Sequence, residues 1–111
     1  HYAVNFILEE QGHKVLYAAD GAKGIKIARK KKPDLILMDM MMPGIDGYQS
    51  TQKIRQINGM KDVPIIAMTA KTVQEDKKRA IKAGCNDYLT KPFTLEDILA
   101  KVQKWLGGTN G

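Results

Sequence analysis

The chain has 111 residues, 43% hydrophobic and 27% charged, which fits one folded globular domain and excludes a second domain or a disordered chain. Its single cysteine, Cys85, excludes an internal disulfide, and no apolar run reaches the ~20 residues that cross a bilayer, so we expect a cytoplasmic protein without membrane insertion. The net charge of +6 comes from residues 14–32, which carry seven basic side chains and one acidic, while the other residues carry eleven of each sign. The excess charge is therefore one patch and does not by itself indicate a nucleic-acid partner.

Periodic apolar residues, short apolar runs and turn residues predict that helices and strands alternate along the chain. The predicted elements in chain order are a helix at 2–11, a strand at 14–18, a helix at 22–32, a strand at 35–38, a helix at 48–57, a strand at 63–68, a helix at 72–83, a strand at 85–90 and a helix at 94–106. The run at 35–38 lacks polar alternation, which indicates a strand buried on both faces. We expect one domain over residues 1–106, and a glycine-rich tail or linker at 107–111.

The ends of the three later strands carry side chains of complementary chemistry. Alternating strands and helices with short connections predict a parallel α/β sheet with helices on both faces. In such a sheet the functional site lies beyond the carboxyl ends of the strands. The three later strands end at Asp39, Thr69 and Lys91, so a carboxylate, a hydroxyl and an ammonium are expected at one edge.

This combination of side chains suits phosphoryl transfer. A carboxylate can attack phosphorus and form an acyl phosphate, while an ammonium and a hydroxyl offset charge on the transferring oxygens. Taken singly, Asp39 and Thr69 are more often helix caps or turn residues, and Lys91 more often a solvated lysine. Their joint placement on three strand ends favours the functional interpretation.

Three segments resemble the signatures of response-regulator receiver domains. They are Leu-Ile-Leu-Met-Asp-Met-Met-Met-Pro-Gly-Ile-Asp-Gly at 35–47, Met-Thr-Ala at 68–70 and Asp-Tyr-Leu-Thr-Lys-Pro-Phe at 87–93. The resemblance covers residues 2–106 and makes the expected domain a receiver. It implies a flavodoxin-like, doubly wound parallel sheet with strand order 2-1-3-4-5.

The resemblance also implies roles for individual residues. Asp39 would accept a phosphoryl group from a phosphohistidine on a histidine kinase or histidine phosphotransfer domain. Lys91 would bind the resulting acyl phosphate. Asp39 and the backbone carbonyl of Met41 would be ligands of Mg²⁺. No direct contact with nucleic acid is implied.

A conformational switch is a further implication of the resemblance. Thr69 would move toward the phosphoryl group and Tyr88 would turn inward, which would change the surface formed by residues 72–106. That surface is the expected output face, and dimerisation through it is left open. From the pattern alone, Tyr88 is equally well explained as a core tyrosine with a bonded hydroxyl.

The sequence departs from the family pattern at its beginning. Receiver domains begin with a strand that ends in an acidic pair, and this pair binds Mg²⁺ together with the phosphoacceptor. The alignment places Tyr2 just after that pair, and Glu9 and Glu10 fall too far along to replace it. Two explanations remain open: the protein has this strand and the 111 residues lack it, which we favour, or another chain fills its place in the sheet. If these 111 residues are the whole chain, we expect an open slot between the strands at 14–18 and 35–38, weak Mg²⁺ binding and poor phosphorylation.

Two other function classes remain open at this stage. The first is a phosphatase or phosphotransferase with Asp39 as nucleophile, although such enzymes usually place a second aspartate two residues later, where this chain has Met41. The second is a nucleic-acid binder that uses Lys23, Lys26 and Lys30, which lie on one helical stripe. That interpretation lacks interleaved aromatic residues and any recognisable binding motif, so a solvated helix face is the simpler one.

Overall fold

The computed structural model describes residues 6–10, 12–19, 21–40, 47–69, 74–90 and 93–107. These residues contain five strands: β1 (Phe6–Glu10), β2 (His13–Ala18), β3 (Leu35–Asp39), β4 (Ile65–Thr69) and β5 (Asp87–Thr90). They also contain four α-helices: α1 (Gly21–Lys31), α2 (Gly47–Arg55), α3 (Gln74–Ala83) and α4 (Leu95–Val102). A π-helical turn, Gln103–Gly107, follows α4 directly. None of the helices in this described part of the chain is long and apolar enough to cross a membrane.

Strands β2 to β5 form a parallel sheet and pair in chain order. The register places Leu16 beside Ile36, Ile36 beside Ile65, and Ala67 beside Tyr88. Helices α1, α2 and α3 provide the three crossovers between these strands. The expected flavodoxin-like α/β architecture, with a parallel sheet and alternating helices, is confirmed.

The prediction of a helix at 2–11 is wrong for residues 6–10. These residues form strand β1, which pairs antiparallel with β2, from Phe6 beside Tyr17 to Glu10 beside His13. The two strands are joined across residues 11 and 12, and Gly12 has a φ of +82°, a backbone conformation that suits a tight hairpin connection. Helical and strand periodicity are hard to separate in a short apolar segment, and pairing with β2 decides the outcome here.

The predicted open slot in the sheet is also wrong for the described strands. Strand β2 pairs directly with β3, from Val15 beside Leu35 to Ala18 beside Met38. The sheet order is therefore β1-β2-β3-β4-β5 and not 2-1-3-4-5 with a gap. Direct pairing satisfies backbone donors and acceptors that an open central slot would leave unpaired.

Apolar side chains cover both faces of the sheet. On one face, residues of β2, β3 and β4 pack with α1, α2 and α3 in a cluster that includes Leu16, Ile36, Ile54 and Ala80. The second cluster uses the alternate residues of the same strands and Val102 of α4. All four residues of the run at 35–38 have no exposed surface, as their unbroken apolar pattern predicted.

The bounds of the predicted elements differ from the observed ones by a few residues, as β5 and α4 illustrate. Strand β5 begins at Asp87, so Cys85 and Asn86 precede it. Helix α4 ends as a regular α-helix at Val102 and continues as the π-helical turn. A capping box lies at the start of α4, where Asp97 N–H donates to Thr94 Oγ1 at 3.1 Å and Thr94 N–H donates to Asp97 Oδ2 at 2.9 Å.

Candidate functional site

The carboxyl ends of β3, β4 and β5 lie side by side at one edge of the sheet. Asp39 ends β3 and pairs with Met68, while Thr69 ends β4 and pairs with Thr90. The Asp39 side chain is half-buried. The Met40 N–H donates to the Met68 carbonyl at 3.1 Å, which extends the ladder one residue past Asp39. The structure thus places Asp39 and the backbone of Thr69 on neighbouring strand ends.

Two of the predicted site residues lie outside the described residues. Lys91 follows Thr90 in the sequence, and Met41 follows Met40. Neither residue lies in a described range, so the role predicted for each one rests on its position in the sequence alone.

Gly47 packs directly against the end of β3. A Cβ at Gly47, the first residue of α2, would lie 2.7 Å from Met40 Sδ, 2.8 Å from Met40 Cα and 2.9 Å from the Asp39 carbonyl oxygen. Such distances leave no room for a side chain, so glycine lets α2 begin against the backbone that carries Asp39. The sequence pattern predicts a helix that begins at residue 48, so it does not indicate this contact at Gly47.

Tyr88 lies in the middle of β5, beside Ala67 of β4. Its side chain is half-buried and packs against the cluster under α1, α2 and α3. The Lys101 ammonium lies 5.9 Å from the centroid of its ring, within range of a cation–π contact. A half-buried tyrosine beside a charged side chain is compatible with the predicted switch role, which stays a prediction.

Asp87 carries a buried carboxylate that the sequence pattern does not indicate. Only 9% of its side chain is exposed. Its Oδ2 accepts hydrogen bonds from Trp105 Nε1 at 2.8 Å, Lys101 Nζ at 3.0 Å and Lys104 Nζ at 3.2 Å. Its Oδ1 accepts from the Tyr88 N–H at 2.8 Å. These donors connect the start of β5 to α4 and the π-helical turn.

The surroundings of Asp87 keep its carboxylate charged. Burial opposes ionisation, but the hydrogen bonds from Trp105, Lys101, the Tyr88 backbone and Lys104 together outweigh it and lower the pKa of Asp87 to about 2. The group is therefore fully ionised at neutral pH.

The thiol of Cys85 is buried on the face of the sheet that α2 covers. The residue is 5% exposed, and its Sγ lies 3.6 Å from Thr51 Oγ1. Burial raises the pKa of Cys85 to about 11, against smaller lowering effects of the Thr51 contact and Arg55. Because the thiolate is the nucleophilic form, Cys85 is a packing residue and not a nucleophile at neutral pH.

Arg55 fixes the opposite edge of the sheet, away from Asp39. Its Nε and Nη2 donate to the Gly84 carbonyl at 3.1 and 2.7 Å, and Nη2 also donates to Asn86 Oδ1 at 2.6 Å. Its Nη1 donates to the carbonyls of Met60, Lys61 and Val63. Burial lowers the pKa of Arg55, but the guanidinium remains charged. This residue holds the segments before β4 and β5 to the end of α2.

The described residues supply only part of a metal site. Within the described ranges, no three histidine, cysteine, aspartate or glutamate side chains form a group that could hold a metal ion. Magnesium requires near-octahedral oxygen coordination, and the Asp39 carboxylate alone does not provide it.

The sequence profile of the response regulator receiver domain matches residues 2–103. The chain therefore belongs to this family and is a receiver domain of two-component signal transduction, a class that accepts phosphoryl groups in signalling. This assignment replaces the alternative of an aspartate-nucleophile phosphatase or phosphotransferase.

Proteins similar to this chain differ in length. The chain is 38% identical over 107 residues to protein PilH of Pseudomonas aeruginosa, with 96% of this chain and 88% of that protein covered. It is 39% identical over 107 residues to the DNA-binding transcriptional regulator RpaA of Synechocystis, with 96% of this chain but only 44% of that protein covered. Its relatives thus include proteins of nearly its own length and proteins more than twice as long.

Solved structures show the same fold. The receiver domain of the sensor histidine kinase PA1611 from Pseudomonas aeruginosa, with magnesium coordinated in its active-site cleft, is 41% identical and has a TM-score of 0.74, covering 82% of this chain and 75% of that one. The chain is also similar to the co-crystal structure of the receiver domain of Saccharomyces cerevisiae Ssk1 with the histidine phosphotransfer protein Ypd1. The identity is 33% and the TM-score is 0.72, with 79% of this chain and 68% of that one covered.

Proposed function

We propose that Asp39 is the phosphoacceptor of this receiver domain. The observation that carries the proposal is the half-buried carboxylate at the carboxyl end of β3, in the middle of the parallel sheet. A carboxylate oxygen of Asp39 attacks the phosphorus of a phosphohistidine, the P–N bond breaks, and the imidazole leaves while an acyl phosphate forms on Asp39.

The donor is a histidine kinase or a histidine phosphotransfer domain. The pairing of Ypd1 with the Ssk1 receiver supports this class of partner, because that receiver shares the present fold. A phosphohistidine is also a sufficient chemical donor, since its imidazole is a good leaving group once protonated.

Thr69 and Lys91 complete the proposed site. Thr69 ends the strand beside Asp39, where its hydroxyl would donate to a phosphoryl oxygen. Lys91 is the residue after Thr90, which pairs with Thr69, and its ammonium would offset the negative charge of the acyl phosphate. Phosphoryl transfer depends mainly on positioning and charge neutralisation, which these two groups would supply.

The proposed output surface is formed by α3, β5 and α4. Tyr88 connects this surface to the site, because it lies on β5 two residues before Thr90, which pairs with Thr69. Movement of Thr69 toward the phosphoryl group would open space for Tyr88 to turn inward. A partner, including a second copy of the chain, would then recognise the changed surface.

Magnesium would be bound by Asp39 and the backbone carbonyl of Met41. The magnesium ion in the PA1611 receiver supports this class of cofactor for the family. In a domain with strand order 2-1-3-4-5, a strand bearing the acidic pair separates the strands that correspond to β2 and β3. Because β2 and β3 pair directly here, we expect the 111-residue chain to bind Mg²⁺ weakly.

Intact-mass analysis after incubation with acetyl phosphate and Mg²⁺ tests the assignment of Asp39. The unmodified chain should gain one phosphoryl adduct, at low occupancy because Mg²⁺ binds weakly, and Asp39→Asn should gain none. Asp62→Asn is the matched control, because Asp62 is an exposed aspartate and its change removes the same charge. An adduct that persists in Asp39→Asn, or is lost in Asp62→Asn, would contradict the proposal.

A further inference from the structure

A groove of about 600 Å³ lies between the C-terminal parts of α1 and α2. The residues that line it are Ile25, Arg29, Lys32, Lys53, Gln56, Ile57 and Asn58. Among these described residues three are basic and none is acidic. Ile25 and Ile57 are each 9% exposed and form an apolar base, while the charged and amide side chains are exposed around it.

The groove is well separated from the phosphoacceptor. Arg29 and Lys32 lie at the end of α1 that precedes β3, and Asp39 lies at the far end of β3. A ligand in the groove would therefore not compete with the phosphoryl donor for Asp39. The groove also belongs to a different surface from α3, β5 and α4, the proposed output face.

Lys32 has an unusual backbone conformation at the edge of this groove. Its φ is +48°, in the left-handed region that follows many helices and that favours glycine. Its N–H donates to the Ala28 carbonyl at 3.0 Å, and its ammonium donates across the groove to the Asn58 carbonyl. An ammonium has three N–H donors, and the Asn58 contact uses one of them. Position 32 thus carries a lysine in a backbone conformation that favours glycine, and the ammonium of this lysine lies at the groove.

We infer that this groove binds an acidic segment of a partner protein. The basic side chains Arg29, Lys32 and Lys53 match carboxylates in charge, and the guanidinium of Arg29 suits a carboxylate in particular. The amides of Gln56 and Asn58 can pair with the backbone of an extended chain. The apolar base would hold the aliphatic part of the same segment.

The shape of the groove favours a polypeptide over a compact ligand. Small-molecule sites are concave and lined mainly by apolar groups, whereas five of the seven residues here are polar and exposed. The exposed lysines Lys26 and Lys30 continue the positive charge along α1 beyond the groove. An extended acidic segment can use this longer surface, and a compact anion cannot.

Fluorescence anisotropy at low salt tests the inference. The probe is a labelled peptide of Glu, Ser and Gly, and the control peptide has Gln in place of each Glu. The double variant Arg29→Gln/Lys53→Gln should bind the Glu peptide about tenfold more weakly. The double variant Lys78→Gln/Lys82→Gln is the matched control, because both lysines are exposed and lie on α3. It loses the same charge outside the groove and should change the affinity by no more than about twofold.

Lys32→Gly separates a binding role from a structural one. Glycine is favourable at a φ of +48°, so the melting temperature should stay the same or rise while the affinity for the Glu peptide falls. A lower melting temperature with unchanged affinity would show that Lys32 only braces α1 against α2. Equal losses in the two double variants would overturn the inference, as would stronger binding of tripolyphosphate than of the Glu peptide.

Discussion

The carboxylate of Asp87 accepts a 2.8 Å hydrogen bond from the indole nitrogen of Trp105, which lies eighteen residues further along the chain. The same oxygen accepts from Lys101 and Lys104. A single buried carboxylate therefore connects the start of β5 to α4 and to the π-helical turn after it. Because Lys101 also lies over the ring of Tyr88, this connection adjoins the proposed switch residue.

Asp87→Asn should destabilise the domain. The substitution keeps the shape of the side chain but removes the charge that Lys101 and Lys104 contact, so the free energy of unfolding should fall by about 2 kcal/mol. Urea unfolding followed by the fluorescence of Trp105, the only tryptophan, measures this change. Asp62→Asn at an exposed position should alter stability by less than about 0.5 kcal/mol. Equal effects of the two substitutions would show that the Asp87 contacts add nothing.

The same carboxylate should make stability depend on pH in the acid range. The pKa of Asp87 is about 2 in the folded chain against 3.8 as its ordinary value, so its contribution is complete above about pH 5. As the pH falls below 4 the unfolded chain takes up a proton first, and about 2 kcal/mol of stability is lost by pH 2. The difference in unfolding free energy between the unmodified chain and Asp87→Asn, measured from pH 7 to pH 2, should therefore shrink. A difference that stays constant over this range would contradict the pKa assignment.

Gly47→Ala should disturb the end of β3. The added methyl group would lie within 3 Å of Met40 and of the Asp39 carbonyl, which requires a shift of the backbone. We expect a loss of about 1–3 kcal/mol in stability and slower labelling by acetyl phosphate. Ser50→Ala in the same helix is the control, because Ser50 Oγ is buried with no hydrogen-bond partner among the described residues, and its removal should not lower stability. If both variants are labelled at the same rate, Gly47 does not position Asp39.

The local sequence pattern is sufficient to predict the parallel sheet and the strand ends at which the candidate site lies. The run at 35–38 was predicted as a doubly buried strand because its lack of polar alternation is visible within four residues. Alternation of strands and helices then places Asp39 and Thr69 at neighbouring strand ends without any knowledge of side-chain contacts.

Features that depend on distant partners could not be predicted from the same patterns. Residues 6–10 have the apolar content of either a helix or a strand, and only their pairing with β2 selects the strand. Asp87 and Arg55 are ordinary charged residues in the sequence. The side chains that donate to Asp87 lie 14 to 18 residues away, and the acceptors that Arg55 contacts lie 5 to 31 residues away. The close approach of Gly47 to Met40 likewise follows from how α2 packs on the end of β3.

Cys85 should resist alkylation in the folded domain. Its thiol is buried and its pKa is raised to about 11, so at pH 8 the reactive thiolate is scarce and shielded. Iodoacetamide labelling followed by mass spectrometry should be at least about 100-fold slower in buffer than in concentrated urea. Labelling at similar rates in both solutions would mean that the thiol is accessible, contrary to the packing around Thr51.

Arg55→Lys should destabilise the domain although it keeps the charge. The guanidinium donates at once to the Gly84 carbonyl, to Asn86 Oδ1 and to the carbonyls before β4, and the single nitrogen of lysine cannot replace this set. Because the lost contacts are charged and partly buried, we expect the free energy of unfolding to fall by about 2 kcal/mol. Lys53→Arg, an exposed exchange in the same helix, is the matched control and should change stability by less than about 0.5 kcal/mol. The comparison is made by urea unfolding at neutral pH, and a fall in Arg55→Lys no larger than in the control would mean that the carbonyl contacts of Arg55 contribute nothing measurable.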